Sequence, residues 1–407
     1  MNKIIVIGGG ASGMVAAISA ARRGSEVIII EHMERVGRKI LSTGNGKCNY
    51  TNRRQGLRCY RGENPAFVLP VLEQFGVEET IAFFKELGVF PRERDGYFYP
   101  ASGQASSVLD VLRMELRRLQ IEIHTDCAIT SVQRTKHGFD VRTTQGAFRA
   151  HQCIFACGGR AFPKSGSDGS AYPYIEKLGH TLIEMVPALV PMKAKQSFFK
   201  SVAGIRADAR ICLYRNGKQI AKDRGEIQLT QTGVSGIPAF QVSRYAARAL
   251  AKKEKVRAEL DFAPDLSEEE LAAELTARFA AHNGKSLEES LIGFFPKKLI
   301  LLFLKENRLP LQEKAEWMLN GRISSFARYI KHVTIDVTET EGFDRAQSSA
   351  GGVDTKEINP KTLESYLVQG LFFAGEVVDI DGMCGGYNLQ WAWSSGYVAG
   401  MHAADRK

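Results

Sequence analysis

The chain has 407 residues, of which 44% are hydrophobic and 24% charged, and its formal net charge is +9 at pH 7. This composition is typical of an ordinary globular protein of two or three domains. No apolar run reaches the ~18 residues that a membrane-spanning helix needs, and no signal peptide is recognised, so we expect a cytoplasmic protein without a membrane partner. The basic residues are scattered in short clusters, which favours a solvated surface over a nucleic-acid partner.

The cysteines and histidines do not form a recognisable metal or redox motif. The seven cysteines are odd in number and include no C-x-x-C pair. This argues against a disulfide framework, a zinc site and a dithiol centre. The eight histidines show no H-x-x-x-H spacing, so no metal site is predicted.

The first predicted elements are a strand, a glycine-rich loop, a helix and a second strand. Apolar residues 4–7 precede the loop 8–13, whose sequence is Gly-Gly-Gly-Ala-Ser-Gly, and apolar residues 27–30 end at Glu31. The three spaced glycines permit the turn, the approach of a pyrophosphate and close packing of helix on strand. The helix N-terminus offers N–H groups to phosphate, and an acid placed like Glu31 accepts hydrogen bonds from the adenosine ribose. A dinucleotide site is therefore predicted.

A loop dense in glycine and small polar residues follows, at 37–52. Its amides and side chains can wrap a polar ligand, and Arg38 and Lys39 can face phosphate. The alternative is a long surface loop held by its own Asx turns. Because long loops in compact domains are usually functional, we favour a ligand.

The middle of the chain changes pattern twice. Residues 64–120 are predicted to be mostly helical, and short strands are expected at 121–125, 128–134, 138–143 and 147–156. The last of these ends in Ala-Cys-Gly-Gly at 156–159, small residues that let a cofactor approach the backbone. The pattern of residues 206–262 is typical of antiparallel β-structure, with a hairpin turn at Asn216-Gly217. The pattern of residues 266–320 is typical of helices.

A second strand, glycine loop and helix lie near the C-terminal end. Residues 371–376 read as a buried strand, and the loop from Asp381 to Gly386 precedes a helix that starts at Tyr387. Asp381 can bind the ribityl or pyrophosphate part of a flavin dinucleotide. The helix N-terminus at Tyr387 would stabilise the negative charge of a reduced flavin. Two such units at opposite ends indicate one dinucleotide-binding domain with a large central insertion.

The predicted fold class is α/β, a Rossmann-like two-dinucleotide-binding flavoprotein fold with an inserted antiparallel β domain and a small helical domain. Residues 1–188 and 335–407 are assigned to the FAD-binding domain. The insert is divided into a β domain at 189–265, a helical domain at 266–322 and a return to the β domain at 323–334.

These motifs resemble a bacterial FAD-dependent flavoprotein family that includes aminoacetone oxidase-like proteins and BaiN-type steroid dehydro-reductases. The resemblance spans nearly the whole length and rests most on residues 37–52 and 374–389. It implies non-covalent FAD in an extended pose. Two departures are Leu229-Thr230-Gln231, where relatives often have Phe-Thr-His, and Cys157, where Thr is more usual. The first concerns the substrate side, and the second conserves size.

The prediction of FAD-binding residues rests on the motifs and on this resemblance. The resemblance also implies that the backbone of Ile129 meets the adenine. The predicted set is Gly8, Gly10, Ala11, Ser12, Gly13, Glu31, His32, Arg38, Lys39, Gly44, Asn45, Gly46, Asn49, Ile129, Cys157, Gly158, Gly375, Glu376, Asp381, Gly386, Tyr387, Asn388 and Leu389.

The expected function is that of an NAD(P)/FAD-dependent oxidoreductase acting on a small organic molecule. Reduction of an activated C=C with NAD(P)H as donor is preferred, and NAD(P)H would dock transiently because no second G-x-G-x-x-G occurs. An amine oxidase that uses O₂, as in the aminoacetone-like proteins, is one alternative. A flavin-dependent nucleic-acid-modifying or RNA-binding protein and a flavin sensor without turnover are others. No catalytic acid or base is identified beyond the proton-donor candidates Tyr97, Tyr99, Tyr172 and Tyr387, and neither the substrate nor the oligomeric state is predicted.

Overall fold

The computed structural model describes residues 2–281 and 284–406. The chain divides into two compact units, the first comprising Met1–Val186 and Gln347–Lys407 and the second Pro187–Ala346. The chain thus leaves the first unit once and returns to it. The predicted division of the insert into 189–265, 266–322 and 323–334 stays a prediction.

Strands and helices are numbered in chain order. The strands are β1 Lys3–Ile7, β2 Glu26–Ile30, β3 Thr51–Asn52, β4 Tyr60–Arg61, β5 Pro91–Arg94, β6 Tyr97–Pro100, β7 Glu122–His124, β8 Ile129–Thr135, β9 Gly138–Thr143, β10 Gly146–Ala150, β11 Gln152–Phe155, β12 Leu182–Ala188, β13 Met192–Ala194, β14 Arg206–Arg215, β15 Lys218–Leu229, β16 Gly233–Ser235, β17 Val256–Asp261, β18 Val333–Thr340, β19 Ser348–Val353, β20 Leu371–Phe373 and β21 Asp381–Gly382. The α-helices are α1 Ala11–Arg22, α2 Leu69–Gln74, α3 Val77–Glu86, α4 Ala105–Arg118, α5 Tyr172–Lys177, α6 Phe199–Val202, α7 Ile237–Ala251, α8 Glu268–Ala281, α9 Leu287–Leu291, α10 Lys297–Glu306, α11 Ile323–Lys331 and α12 Tyr387–Asp405. Short 3₁₀ turns occupy Arg38–Gly46, Leu57–Cys59, Pro65–Val68, Pro163–Ser165, Ala315–Leu319, Thr355–Glu357 and Gly375–Val377.

The first unit is built on a parallel sheet with the strand order β20-β11-β1-β2-β7. The central strand β1 is almost entirely aliphatic and buried, as expected for a strand covered by helices on both faces. In such sheets, ligands bind beyond the carboxyl ends of the strands. The residues after Ile7, Ile30 and Phe155 are therefore brought together at one edge of the sheet.

The two helices that follow the predicted glycine loops, α1 and α12, pack against each other. A Cβ at Gly396 would lie 2.4 Å from the backbone oxygen of Ser12, a contact that only glycine permits. Trp391 is buried, and its indole N–H donates to the oxygen of Gly375 at 2.9 Å. This packing joins the N-terminal and C-terminal parts of the first unit and confirms the α/β fold predicted for them.

One predicted strand, at 147–156, is wrong as a single element. It is divided at His151 into β10, which belongs to an antiparallel sheet with β8 and β9, and β11, which belongs to the parallel sheet. The N–H of His151 donates to the oxygen of Lys3 at 2.9 Å, and its Nδ1 accepts from the N–H of Lys3 at 3.0 Å. These two bonds anchor the chain where it passes between the sheets, and a run of apolar residues does not reveal such a break.

Strands β5 and β6 form a β-hairpin inside the segment 64–120, which is mostly helical as predicted. The two turn residues, Asp95 and Gly96, have left-handed φ angles of +51° and +90°, the pattern of a type I′ turn. Cross-strand pairing sets Arg92 opposite Tyr99 and Arg94 opposite Tyr97. Strand β3 pairs with the other side of β6 and completes a small antiparallel sheet.

The second unit contains a closed antiparallel sheet with the order β13-β16-β15-β14-β17-β18. The predicted hairpin turn is confirmed, since Asn216 and Gly217 connect β14 to β15 with φ of +48° and +85°. The predicted helical segment is also confirmed in its described residues, 266–281 and 284–320, and its helix α10 buries Leu299 and Phe303 completely. Residues 282–283 of this prediction lie outside the described residues. Within the described residues, no helix combines the length and apolar character needed to cross a membrane.

Candidate cofactor site

A cleft of about 360 Å³ lies at the carboxyl edge of the parallel sheet, within the first unit. Many of the residues predicted to bind FAD line this cleft, and they come from both ends of the chain. These are Gly8, Gly10, Ala11, Ser12, Glu31, His32, Arg38, Lys39, Ile129, Cys157, Gly158, Glu376, Asn388 and Leu389. The topology of the sheet therefore brings the two motifs, which are more than 300 residues apart, to one place.

The first glycine loop presents an open backbone to this cleft. A Cβ at Gly13 would meet the oxygen of Gly8 at 1.9 Å, so Gly13 is required for packing inside the protein. By contrast, apart from the neighbouring residues in the chain, no atom of the described chain lies within 4 Å of the position that a Cβ at Gly10 would take. Gly10 is also the N-cap of α1, and no side chain of the described residues caps this helix end. The first N–H groups of α1 are therefore available to an anion.

Glu31 connects the glycine loop to the cleft wall. It is 7% exposed. Its Oε2 accepts from the N–H of Gly9 at 2.8 Å, and its Oε1 accepts from the N–H of Met33 at 2.9 Å. The His32 ring lies 3.3 Å from the same carboxylate. The acid predicted to meet a ribose therefore also holds the loop in place.

The two cations predicted to face phosphate lie at the cleft wall next to carboxylates. Lys39 Nζ is 2.8 Å from Glu376 Oε2, and Arg38 Nη1 is 2.8 Å from Glu34 Oε2. The other oxygen of Glu376 accepts from the N–H of Ser349 at 2.7 Å. Lys39 therefore links the segment after β2 to the segment after β20, and a bound phosphate would have to share or replace these carboxylate contacts.

The other predicted residues lie outside the lining of the cleft, although several adjoin it in the chain. This group consists of Gly13, Gly44, Asn45, Gly46, Asn49, Gly375, Asp381, Gly386 and Tyr387. Residues 44–46 are exposed in the loop after β2, and Asn45 has a left-handed φ of +52°.

The start of α12 is held by its own loop. Asp381 is buried in β21, which pairs with β4. Asn388 accepts from the N–H of Gly382 at 2.8 Å and donates to the oxygen of the same residue at 3.0 Å. In the part of the chain that the structure describes, no side chain caps α12 at Gly386. The far wall of the cleft therefore has a hydrogen-bonded loop and a second open helix N-terminus.

Sequence reasoning missed the segment 165–171, which forms another wall of the cleft. Ser167 is 5% exposed, and within the described ranges its hydroxyl has no hydrogen-bond partner. A buried hydroxyl without a partner is costly, so this one fits a polar ligand in the cleft. The signal was present in the run Ser-Gly-Ser-Asp-Gly-Ser at 165–170, which resembles the polar loop at 37–52 in composition.

Two titratable groups in or next to the cleft wall stay neutral at ordinary pH. Burial raises the pKa of the Cys157 thiol to about 12, so Cys157 acts as a small apolar wall and not as a nucleophile. Burial also raises the pKa of Tyr172, whose hydroxyl donates to the oxygen of Gly158 at 3.3 Å. Of the other tyrosines considered as proton donors, Tyr387 is buried and has a raised pKa for the same reason.

Taken together, these residues fit a dinucleotide such as FAD. The cleft offers an uncapped helix N-terminus beside the open backbone at Gly10, a buried acid at Glu31 and an unsatisfied hydroxyl at Ser167. The first suits a pyrophosphate, and the other two suit hydroxyl groups and polar ring atoms.

Comparison with known proteins agrees with this geometry. The family model for the HI0933-like protein Rossmann domain matches residues 2–402. Over 412 residues the chain is 44% identical to the 3-dehydro-bile acid delta(4,6)-reductase of Clostridium scindens, with 100% of both chains covered. It is 30% identical to the ribosomal RNA dihydrouridine synthase of Haemophilus influenzae, with 98% of this chain and 97% of that protein covered. The solved open conformation of a flavocytochrome c3 fumarate reductase superimposes with a TM-score of 0.52 at 15% identity, covering 99% of this chain and 78% of that one.

Proposed function

This chain belongs to the HI0933-like protein family, and on that premise we propose that it reduces an activated C=C bond in a small organic substrate. It is an oxidoreductase, and FAD is its cofactor. The observation that carries the proposal is the 44% identity, over the whole of both chains, to a protein named as a bile acid delta(4,6)-reductase. We propose NAD(P)H as the electron donor.

Bound FAD would supply the redox chemistry, and the protein supplies position and charge. We propose that the N–H groups at the start of α1 hold the pyrophosphate and that Glu31 and Ser167 hold the polar groups of the nucleotide. The start of α12 presents the positive end of its dipole near Asn388 and Leu389, where it would stabilise negative charge. Asn388 keeps this helix end in place through its two bonds to Gly382.

The overall reaction consumes NAD(P)H, a proton and the C=C substrate, and it yields NAD(P)⁺ and the saturated product. A hydride is added to one carbon, and a proton is added to its neighbour. The chain must therefore provide or admit a proton donor. Tyr387 is the candidate we favour because of its position, first in α12 and directly before Asn388, which lines the cleft.

Anaerobic titration of the holoprotein tests this proposal. We expect NADH or NADPH to bleach the visible absorbance of the flavin and a steroid with a conjugated 3-oxo-4,6-diene to restore it. Saturated product should appear in equal amount. If neither nucleotide bleaches the flavin, while aminoacetone and O₂ yield hydrogen peroxide, the reductase proposal is wrong and the amine oxidase alternative stands.

A second candidate function is reduction of uridine in RNA. The observation that favours it is the 30% identity, over nearly the full length, to a protein named as a ribosomal RNA dihydrouridine synthase. The C5=C6 bond of uracil is conjugated to a carbonyl, so it is an activated C=C of the same chemical type. Incubation of ribosomal RNA with the holoenzyme and NAD(P)H, followed by mass spectrometry of the nucleosides, tests it. Absence of dihydrouridine would exclude this candidate.

We propose a cytoplasmic location for the protein. All seven cysteines are free thiols, which suits a reducing compartment. Fractionation of the native cells with an antibody against the chain tests this, and recovery outside the cytoplasmic fraction would refute it.

A further inference from the structure

One face of the small antiparallel sheet carries arginines on β5 and tyrosines opposite them on β6. Side chains directly opposite each other in an antiparallel pair share a face, and the face repeats every second residue. Arg92, Arg94, Tyr97 and Tyr99 therefore lie on the same side of β5 and β6. Arg54 approaches the same hairpin, with its Cγ 3.7 Å from the position of a Cβ at Gly96. We call these five residues the Arg–Tyr face.

The arginines of this face are exposed and not neutralised. Within the described residues, no carboxylate forms an ion pair with Arg54, Arg92 or Arg94, and all three are exposed. Tyr97 is 37% exposed, so its ring is accessible.

The opposite face of the same sheet is different. There, Phe98 is buried in the core. Arg53 is neutralised by Glu93 at 3.0 Å and by Glu78 at 3.1 Å. The unneutralised charge is thus specific to the Arg–Tyr face.

This face adjoins the loop that leads into α12. A Cβ at Gly385 would lie 2.8 Å from Cε1 of Tyr97. The side chain of Asn52, in β3, donates to the oxygen of Gly385 at 3.0 Å. Gly385 lies three residues before Asn388 in the chain, and Asn388 lines the cofactor cleft. A ligand on the Arg–Tyr face would therefore extend along the edge of the proposed reaction site.

We propose that the Arg–Tyr face binds a single-stranded segment of RNA. Arginine guanidinium groups hold phosphates, and exposed aromatic rings stack on unpaired bases. A strand laid across this face would place phosphates at Arg92 and Arg94 and a base on Tyr97. The inference rests on the second candidate function, the reduction of uridine, and it names the docking surface for that substrate.

A single-stranded polyanion fits this face better than other anionic partners. A small carboxylate ligand needs only one cation to bind it. This face offers three arginines next to two aromatic rings, which is more than such a ligand would use. A lipid surface calls for several apolar side chains that enter the acyl boundary. The paired residues of this face are arginines and tyrosines, and Phe90, just before β5, adds one exposed apolar ring. The repeat of charge and ring along the hairpin instead matches a chain that repeats phosphate and base.

Binding of a fluorescein-labelled oligouridylate of about 12 nucleotides to the holoprotein tests the proposal, over a salt range of about 50 to 200 mM. We expect affinity to fall as salt rises. The R92Q/R94Q variant should bind more weakly, with a salt slope reduced by about 1.4 for two lost phosphate contacts on a single strand. Y97A should lower affinity about 5- to 150-fold with an unchanged slope, since stacking on one ring is lost. Y97F should retain wild-type affinity, because it keeps the ring.

Two control variants separate this face from general charge. K218Q/K252Q removes two exposed charges from the second unit, and R53Q/E93Q removes an ion pair from the opposite face without changing net charge. Both should bind RNA like the wild type. Equal loss of affinity in K218Q/K252Q and R92Q/R94Q would overturn the proposal, because charge anywhere would then suffice.

Three other outcomes would also refute this surface. They are wild-type affinity in R92Q/R94Q, equal binding of a double-stranded RNA, and binding of phosphatidylserine vesicles but not of RNA. Failure of the docking surface can be told apart from failure of the second candidate function. Dihydrouridine formation that R92Q/R94Q leaves intact would refute the surface alone. RNA binding that depends on this face, without dihydrouridine, would refute the function alone.

Discussion

The two glycines of the first loop allow a test that separates cofactor binding from folding. Gly10 and Gly13 are three residues apart, yet the structure assigns them opposite constraints. A Cβ at Gly10 would have no neighbour within 4 Å in the described chain, whereas a Cβ at Gly13 would stand 1.9 Å from the oxygen of Gly8. We therefore expect G10A to impair FAD binding and G13A to impair the fold.

The magnitudes follow from these contacts. In G10A the added methyl group occupies the space into which a pyrophosphate would pack. Overpacking costs about 1–3 kcal/mol, so the dissociation constant of FAD should rise roughly 5- to 150-fold. Gly10 has φ of −77° and ψ of −166°, which alanine adopts without strain, so the stability of the apoprotein should change by less than about 0.5 kcal/mol. In G13A the clash is with the backbone, and apoprotein stability should fall by about 1–3 kcal/mol or more.

Two measurements check this pair. Fluorescence titration of apoprotein with FAD gives the dissociation constant, and urea denaturation of the apoprotein gives the free energy of unfolding. Wild-type FAD affinity in G10A would refute the placement of the pyrophosphate at this loop. A loss of apoprotein stability in G10A as large as in G13A would show that the space beside Gly10 is not open.

Three further predictions concern buried polar groups. Ser167→Ala should weaken FAD binding about 2- to 13-fold, which corresponds to the loss of one hydrogen bond. Apoprotein stability should not fall, because the hydroxyl that is removed lacks a partner within the described residues. Reduced apoprotein stability would contradict this prediction. Gln390→Leu should lower the free energy of unfolding by about 2–4 kcal/mol in urea, because fully buried Gln390 donates to two hydroxyls, whereas Gln133→Leu at an exposed site should change it by less than about 0.5 kcal/mol. Burial lowers the pKa of His180, so the unfolded state takes up a proton first as pH falls through about 6.5. Stability should therefore fall between about pH 7 and 5, and the slope should be smaller in His180→Gln; equal slopes would exclude His180 as the cause.

Much of the fold was predictable because many of its elements are determined by sequence patterns that span only a few neighbouring residues. The buried strand β1, the loop at residues 8–13 and Glu31 read as one unit from sequence, and the structure places them as one unit at the sheet edge. The hairpin turn at Asn216 was predictable for the same reason, because the turn residues themselves determine its type. By contrast, the break at His151 depends on hydrogen bonds to Lys3, far away in the chain, and local apolar periodicity carries no trace of it.

The cofactor could be inferred from sequence and the substrate could not, and the site shows a physical reason. The proposed contacts to FAD are made largely by backbone groups at the ends of α1 and α12, and such contacts require glycines at fixed spacing, which a sequence displays directly. The Arg–Tyr face is instead made by side chains that only strand pairing brings together. Its arginines looked like scattered surface charge until the register of β5 and β6 placed Arg92 beside Tyr99 and Arg94 beside Tyr97. Both proposed reductions, of a steroid and of a uracil ring, would use the same cleft, so we expect the surfaces around the cleft to decide which substrate reaches it.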